Sequence, residues 1–293
     1  MAAVVAEYRR PGARRGAGVC IVEGTHLIAE ALAAGLAPLV AVVGEHYAGN
    51  PERGGLVARL SAALARPADV SPTLAAAAGR VWTATDRVFA ALSDVPAPQG
   101  ILALFRTPAE AREGHGAPGC VLALDGVQDP GNVGALARAL LAFAGSGALL
   151  LCGAATADPF GEKALRASTG ASFHLRHRFA EDLPAAVRAL EAAGTRWWGL
   201  CPRGGAAPRA ADLSPPLGLV VGSEGRGVSP AVLQACAPIT VPMPGPTESL
   251  NAAVAGGIVL YEAGMRRVDG AAGPGGARAP RAEAPAGIGP RPA

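Results

Sequence analysis

The chain has 293 residues, half of them hydrophobic, and a formal net charge of +3 with 17% charged residues. That length and apolar content are enough for two compact domains and exclude a wholly disordered or fibrous chain. Five cysteines, at positions 20, 120, 152, 201 and 236, form no CxxC pair and no His/Cys metal spacing, so a disulfide scaffold and a zinc site are disfavoured and a reduced, cytoplasmic chain without bound metal is expected.

The amino terminus MAAVVAEYRR lacks the apolar core of a signal peptide, and the longest apolar stretch, residues 139–155, is broken by Gly145, Ser146, Gly147 and Gly153. Neither secretion nor a membrane span is expected. Residues 1–18 carry Arg9, Arg10, Arg14 and Arg15 against Glu7, and residues 266–293 carry five arginines against Asp269 and Glu283, a net +3 at each end and −3 between them. Both ends read as flexible basic arms able to add phosphate affinity without sequence information. Lys163 is the one lysine among 26 basic residues, so arginine richness by itself does not argue for nucleic acid.

Residues 19–106 read as a small α/β unit: strand-like VCIVEG, a helix from Thr25, strand-like LVAVVG, an alanine-rich middle, VWTAT, a helix that Asp86 can cap, and QGILALF. Residues 107–119, rich in proline and glycine, are the expected linker. A second unit spans 120–268, and residues 269–293 hold too little bulky apolar content to fold.

In the second unit, strand-like CVLALD runs into GVQDPGN, and Asn132 opens the helix-like stretch VGALARALLAFA before Gly145. Arg138 falls within two turns of that opening. A helix start in ADPFGEKALRASTG offers Lys163 and Arg166 to a phosphate, whereas His174 and His177 read as structural or surface residues. Next, LGLVVG discharges into Ser223, Glu224, Gly225, Arg226 and Gly227, whose glycines, with Gly222, let backbone approach a ligand closely. Finally ITVPM leads through PGPTE to a helix expected to begin at Ser249 and to continue through small residues at Ala252, Ala253, Ala255, Gly256 and Gly257. Glycine- and Asn/Ser-rich loops after apolar strands are where α/β proteins bind ligands. A dinucleotide-binding unit also has such loops, but neither GNVG nor GSEGRG, the glycine loops that follow these strands, has the GxGxxG spacing, which disfavours a conventional dehydrogenase.

Three stretches in this order, DPGNVGALAR at 129–138, VVGSEGRGV at 220–228 and VPMPGPTESLNAAVA at 241–255, resemble motifs 1, 2 and 3 of the TrmH/SpoU-type RNA 2'-O-ribose methyltransferases of the SPOUT superfamily. The run GVCIVEGTHLIAEALAAG with QGILALF resembles the ribosomal-protein-type substrate-binding domain that precedes their catalytic domain. The pattern departs at Ala253, where a second serine is common, and at Ala137, where a larger residue often precedes the arginine. The resemblance implies an α/β fold in which a parallel-sheet catalytic domain with a deep trefoil knot follows a smaller α/β RNA-binding domain. It implies S-adenosylmethionine held by Gly222, Ser223, Gly225, Ile239, Met243, Leu250 and Asn251. Asn132, Arg138, Glu224, Ser249 and Asn251 would serve the chemistry, and Arg138, Lys163 and Arg166 would contact RNA. A homodimer with the site at the subunit interface is implied, with ribosomal RNA preferred to tRNA as substrate. A general-base role for Arg138 conflicts with the very high pKa of guanidinium, so phosphate binding or oxyanion stabilisation is its expected part. The alternative of another class is a non-catalytic RNA-binding or ribosome-assembly factor on the same fold.

Overall fold

A computed structural model describes residues 1–67, 69–111 and 118–271. Two sheets organise these residues. The first contains β1 (Val19–Glu23), β2 (Pro38–Gly44), β3 (Arg80–Ala84) and β4 (Ile101–Arg106) in the order β1-β4-β2-β3; β4 runs antiparallel to both neighbours, and β2 and β3 are parallel. The helices of this half are α1 (Ala2–Tyr8), α2 (Pro11–Ala17), α3 (Thr25–Ala33), α4 (Glu45–Ala48), α5 (Gly54–Ala63), α6 (Pro72–Ala77) and α7 (Asp86–Leu92). Thr85, not Asp86, caps α7, its hydroxyl accepting from the Val88 amide at 3.4 Å. The Asp86 carboxylate instead accepts from the His46 amide.

The second sheet is wholly parallel, in the order β10-β8-β9-β5-β6-β7: β5 (Cys120–Asp125), β6 (Leu149–Gly153), β7 (Arg176–Ala180), β8 (Arg196–Leu200), β9 (Leu217–Gly222) and β10 (Ala237–Ile239). Its helices are α8 (Pro130–Ala144), α9 (Glu162–Ser168), α10 (Leu183–Ala192), α11 (Pro230–Leu233) and α12 (Ala252–Ala271). Strands β6 and β9, and β5 up to its final Asp125, are apolar because both faces are covered. Leu122, Leu124, Leu219 and Val221 pack with Leu136 and Leu140 of α8 and Val259 and Leu260 of α12. The alternate residues Val121, Ala123 and Val220 pack with Leu183, Val187 and Val232 on the opposite face. The chain steps outward from β5 to β7, crosses to β8, and returns as β9 between β8 and β5. The strand order therefore reverses beside β5 and β9, the place where a crevice opens at the carboxyl ends.

Residues 1–18 differ from the flexible arm expected of them. They form α1 and α2, whose Val4, Val5 and Tyr8 are buried against Leu39, Val40 and Leu102. Part of their positive charge is taken up by ion pairs with the second half: Arg14 Nε lies 2.9 Å from Asp158 with both side chains buried, and Arg9 Nε lies 3.2 Å from Glu162. The acidic partners lie some 150 positions away in sequence, so the arginines read as free when considered alone. At the other end, α12 continues to Ala271, past the boundary expected at 268, and residues 272–293 of the expected tail lie outside the described residues, as do 112–117 of the expected linker. Of that linker, Thr107 donates its amide to Gly18 and Ala111 to His177.

Phe160, Leu165 and Phe173 of the second half join the core of the first, so the two sheets are packed into one body. At this junction His177 is buried between Phe160 and Phe179, with ring centroids 4.6 and 5.8 Å away. Burial depresses its imidazole pKa from the ordinary value, against the opposing fields of Glu110 and Asp158. The unfolded chain then binds more protons than the folded one below about pH 6.5, so stability present above that pH is lost as pH falls toward the depressed folded value. Thermal denaturation at pH 7.5 and 5.5 is expected to show a lower midpoint at pH 5.5, and His177→Gln to reduce the difference. An unchanged difference in the variant would assign the acid sensitivity to other groups.

Candidate active site

The first of the three loops begins at the carboxyl end of β5. Asp129 rather than Asn132 caps α8: its carboxylate accepts from the Gly131 amide at 3.1 Å, with Pro130 in the first helical position. The salt link from Lys163 Nζ at 2.8 Å and that amide hold the Asp129 carboxyl below its usual range. Asn132 lies one turn further in, 9% exposed, and its side chain is therefore free to reach sideways instead of closing the helix end.

The second loop leaves β9 through a tight reversal. The Gly227 amide donates to the Ser223 carbonyl at 2.8 Å, the Arg226 amide to Ser223 Oγ at 3.3 Å, and Gly227 has φ +67°. A Cβ on Gly222 would stand 2.0 Å from the Gly227 carbonyl carbon and 2.1 Å from the Val228 nitrogen, so only glycine fits there. The Ser229 amide donates to Asp125 at 2.7 Å, tying this loop to the end of β5.

The third loop departs from expectation at its helix start. The cap of α12 is Asn251, whose Oδ1 accepts from the Ala253 and Val254 amides at 2.9 and 3.2 Å, while Ser249 stays in the loop. With Oδ1 committed to the backbone, Asn251 Nδ2 must donate, and it does so to Asn132 Oδ1 at 3.0 Å. Asn132 Nδ2 in turn donates to Glu224. One directional chain of hydrogen bonds, Asn251 to Asn132 to Glu224, therefore joins all three loops and leaves no freedom in how either amide is turned.

The second and third loops, with the end of β8, enclose a cleft of about 500 Å³, within the range of small-molecule sites; Asn132 of the first loop does not line it and reaches it only through Glu224 and Asn251. The cleft is lined by Gly222, Ser223, Glu224, Gly225, Met243, Ser249, Leu250 and Asn251, all named from sequence. Ile239 is not among them. It is fully buried as the last residue of β10, its carbonyl accepting from the Cys201 amide at 2.9 Å; the strand begins two residues before the run ITVPM and ends on its first residue. The lining that sequence reading missed is Leu200, Cys201 and Pro202 at the end of β8; an ordinary Gly/Pro loop after RWWGL carries no distinguishing signal. Burial raises the Cys201 thiol above its ordinary pKa, which keeps it protonated and unsuited to nucleophilic work.

Arg138, Lys163 and Arg166 lie apart from this cleft. Helices α8 and α9 touch so closely that a Cβ on Gly134 would stand 2.4 Å from the Ala164 carbonyl oxygen. That contact sets Arg138 Nη1 3.1 Å from Thr169 Oγ1 and Lys163 beside Asp129. Arg138 is exposed and six residues beyond Asn132, roughly 9 Å along the helix and on another face. Arg166 is 3.6 Å from Asp94, and His174 is 3.3 Å from Glu30. Among the described residues no group of three or more His, Cys, Asp and Glu could hold a metal, and no helix is long and apolar enough to cross a membrane.

Residues 119–261 match the SpoU rRNA Methylase family, and residues 6–103 match the MRM3-like substrate binding domain. The 23S rRNA (guanosine(2553)-2'-O)-methyltransferase RlmP of Bacillus subtilis is 37% identical over 182 residues, covering 60% of this chain and 69% of that protein. An uncharacterized tRNA/rRNA methyltransferase of Mycobacterium ulcerans is 41% identical over 154 residues, 51% of this chain, and the match spans 48% of that relative's length. Among solved structures, a putative RNA methyltransferase of the TrmH family from Porphyromonas gingivalis superposes with a TM-score of 0.71 at 28% identity, covering 90% of this chain and 97% of its own. An AdoMet-bound rRNA methyltransferase from Sinorhizobium meliloti gives 0.70 at 25% identity, over 90% of this chain and 94% of its own.

Proposed function

From the premise that the chain belongs to the SpoU rRNA methylase family, we propose that it transfers a methyl group from S-adenosylmethionine to a ribose 2'-hydroxyl of RNA, ribosomal RNA before tRNA. The observation that carries this reading is the hydrogen-bond chain from Asn251 through Asn132 to Glu224, which fastens the first motif loop to the two that enclose the cleft. RlmP, whose name states 2'-O-methylation of 23S rRNA, and the matched substrate-binding domain favour ribosomal RNA. The site of action would be the cytoplasm. The deep trefoil knot belongs to the same proposal.

The residues fit the cofactor. Gly222 brings bare backbone to the cleft wall, Leu200, Val221 and Leu250 offer apolar surface to an adenosyl group, and Ser223 and Asn251 offer polar atoms. When bound, S-adenosylmethionine supplies an electrophilic methyl on a sulfonium sulfur. The chain must then align the hydroxyl oxygen in line with that methyl, remove the hydroxyl proton to a phosphate oxygen or water, and steady the oxygen as charge gathers on it. Asn132, Glu224 and Asn251 position the cleft wall, Ser249 contributes a hydroxyl at its rim, and Arg138 stabilises the anionic groups. Lys163 and Arg166 bind backbone phosphate.

Because Arg138 does not line the cleft of its own chain, the reading includes a homodimer in which a second copy completes the site. Leu250, Val254, Tyr261 and Val268 are exposed at spacings of four and seven residues at and along α12, one apolar stripe of the kind that self-association covers. Tyr261→Glu is expected to shift the protein from dimer to monomer in light scattering and to remove most methyl transfer; a monomeric wild type would end this part of the proposal. The activity itself is tested by calorimetry with S-adenosylmethionine and by mapping 2'-O-methylation by mass spectrometry in cells with and without the gene. A chain that binds RNA but no S-adenosylmethionine would favour the non-catalytic alternative.

A further inference from the structure

A second cavity, about 240 Å³, opens where the end of β1 meets the end of α9, lined by Glu23, Gly24, His26, Gln99, Arg166 and Thr169. Two of its polar atoms are buried without a hydrogen-bond partner among the described residues: Glu23 Oε2 and Arg166 Nη1. Glu23 is 7% exposed. Its other oxygen accepts from Ser93 Oγ, and burial raises its carboxyl above the ordinary range, against the hydrogen bonds from Ser93 and Asp94 and the Arg166 charge. Arg166 makes its ion pair to Asp94 through Nη2, which leaves Nη1 for the cavity. Folded chains seldom leave a buried acceptor and a buried donor unpaired in one small cavity, and a ligand that satisfies both is a recurrent reason for doing so.

We propose that this cavity reads one unstacked RNA base, a guanine, next to the ribose being methylated. The inference rests on the methyltransferase reading above and gives it base specificity. Guanine presents two adjacent N–H donors, at N1 and N2, and on the same Watson–Crick edge the acceptor O6, so the free Glu23 oxygen and the free Arg166 N–H are matched by one planar edge. Adenine and cytosine present a single exocyclic donor, and uracil one N–H between two carbonyls. A cavity smaller than ordinary drug-sized sites suits a single ring system, and single-stranded bases are where RNA sequence is read. Thr169 lines the cavity and also accepts the hydrogen bond from Arg138 at 3.1 Å, which sets the base subsite beside the residue assigned to the ribose and its phosphate.

The test uses the full chain and the pentaribonucleotides UUGUU, UUIUU, UUAUU and UUCUU, with binding followed by fluorescence anisotropy. The guanosine oligomer is expected to bind about tenfold tighter than those with adenosine or cytidine, and the inosine oligomer, which lacks the N2 donor, to fall between. Glu23→Gln, which keeps the Ser93 contact, is expected to bring UUGUU to the level of UUAUU with melting temperature unchanged; Arg166→Leu, which also loses a phosphate contact, is expected to abolish the preference while weakening all four oligomers. Equal binding of all four oligomers, or a uniform loss across them in Glu23→Gln, would overturn the proposal and leave a water-filled cavity. Calorimetry of the unaltered chain with S-adenosylmethionine reads the methyltransferase assignment separately: cofactor binding without base preference defeats only the guanine subsite.

Discussion

Arg138→Ala is expected to lower methyl transfer by about 10²–10³-fold or more, the scale associated with removing one group that stabilises developing charge, while leaving S-adenosylmethionine affinity and thermal stability nearly unchanged. The separation follows from where the side chain sits. Arg138 is exposed, makes one hydrogen bond from Nη1 to Thr169, and lines no part of the cleft. Its removal touches neither the core nor the hydrogen-bond chain, so a stability change within about 0.5 kcal/mol is expected. The same geometry makes a sharper claim when two defective chains are mixed. Arg138→Ala combined with Asn251→Ala is expected to recover about a quarter of wild-type activity, because random pairing of copies yields half mixed dimers, each with one complete site. Recovery requires that arginine and cleft come from different copies; no recovery with intact dimers would place both in one chain, and a single variant retaining most of its turnover would remove Arg138 from the chemistry altogether.

Much of this site is legible because its chemistry needs unusual residues in short runs. Gly222, Ser223 and Glu224 follow directly on a continuous apolar strand, and Asn132 and Asn251 each open onto a helix, so the loops can be located one by one. What cannot be read locally is which polar residue does which task. Asp129 and Asn132 are both able caps, as are Ser249 and Asn251, and only the packing of α8 against α12 decides that Asp129 and Asn251 close the helices while Asn132 bridges Asn251 to Glu224. The end of β8 joins the cleft through sheet order, since β8 lies between β9 and β10, and strand order is not written in the residues of RWWGLCP. The amino-terminal arginines mislead for a related reason: a charge run looks solvated until Asp158 and Glu162 arrive from the other half of the chain. Ile239 misleads in the opposite direction, an apolar residue near a loop that proves to be the last buried position of its strand.

The strongest structural demand in the site falls on Gly222, and two alanine substitutions a few residues apart are expected to behave very differently because of it. At Gly222 an added methyl group would stand 2.0 to 2.1 Å from the Gly227 carbonyl and the Val228 nitrogen, all of them backbone atoms. No rotamer change relieves a clash with backbone, so the reversal from Ser223 to Gly227 must open. That would strain the 2.8 Å bond from the Gly227 amide to Ser223 and the anchoring of Ser229 on Asp125. At Gly225 an added methyl meets nothing within 4 Å. Gly222→Ala is therefore expected to cost about 3 kcal/mol or more, the upper range for forced overpacking, seen as a fall of about 10 °C in melting temperature. Its affinity for S-adenosylmethionine is expected to drop at least about 100-fold, since each factor of ten takes only about 1.4 kcal/mol of lost contact. Gly225→Ala is expected to melt within about 2 °C of wild type, as surface substitutions do. The comparison isolates the reversal from the general loss of a glycine. Equal melting temperatures for the two variants would mean that the loop yields at little cost, and an unchanged cofactor affinity in Gly222→Ala would mean that the bare backbone at the end of β9 is not the wall against which the cofactor is held.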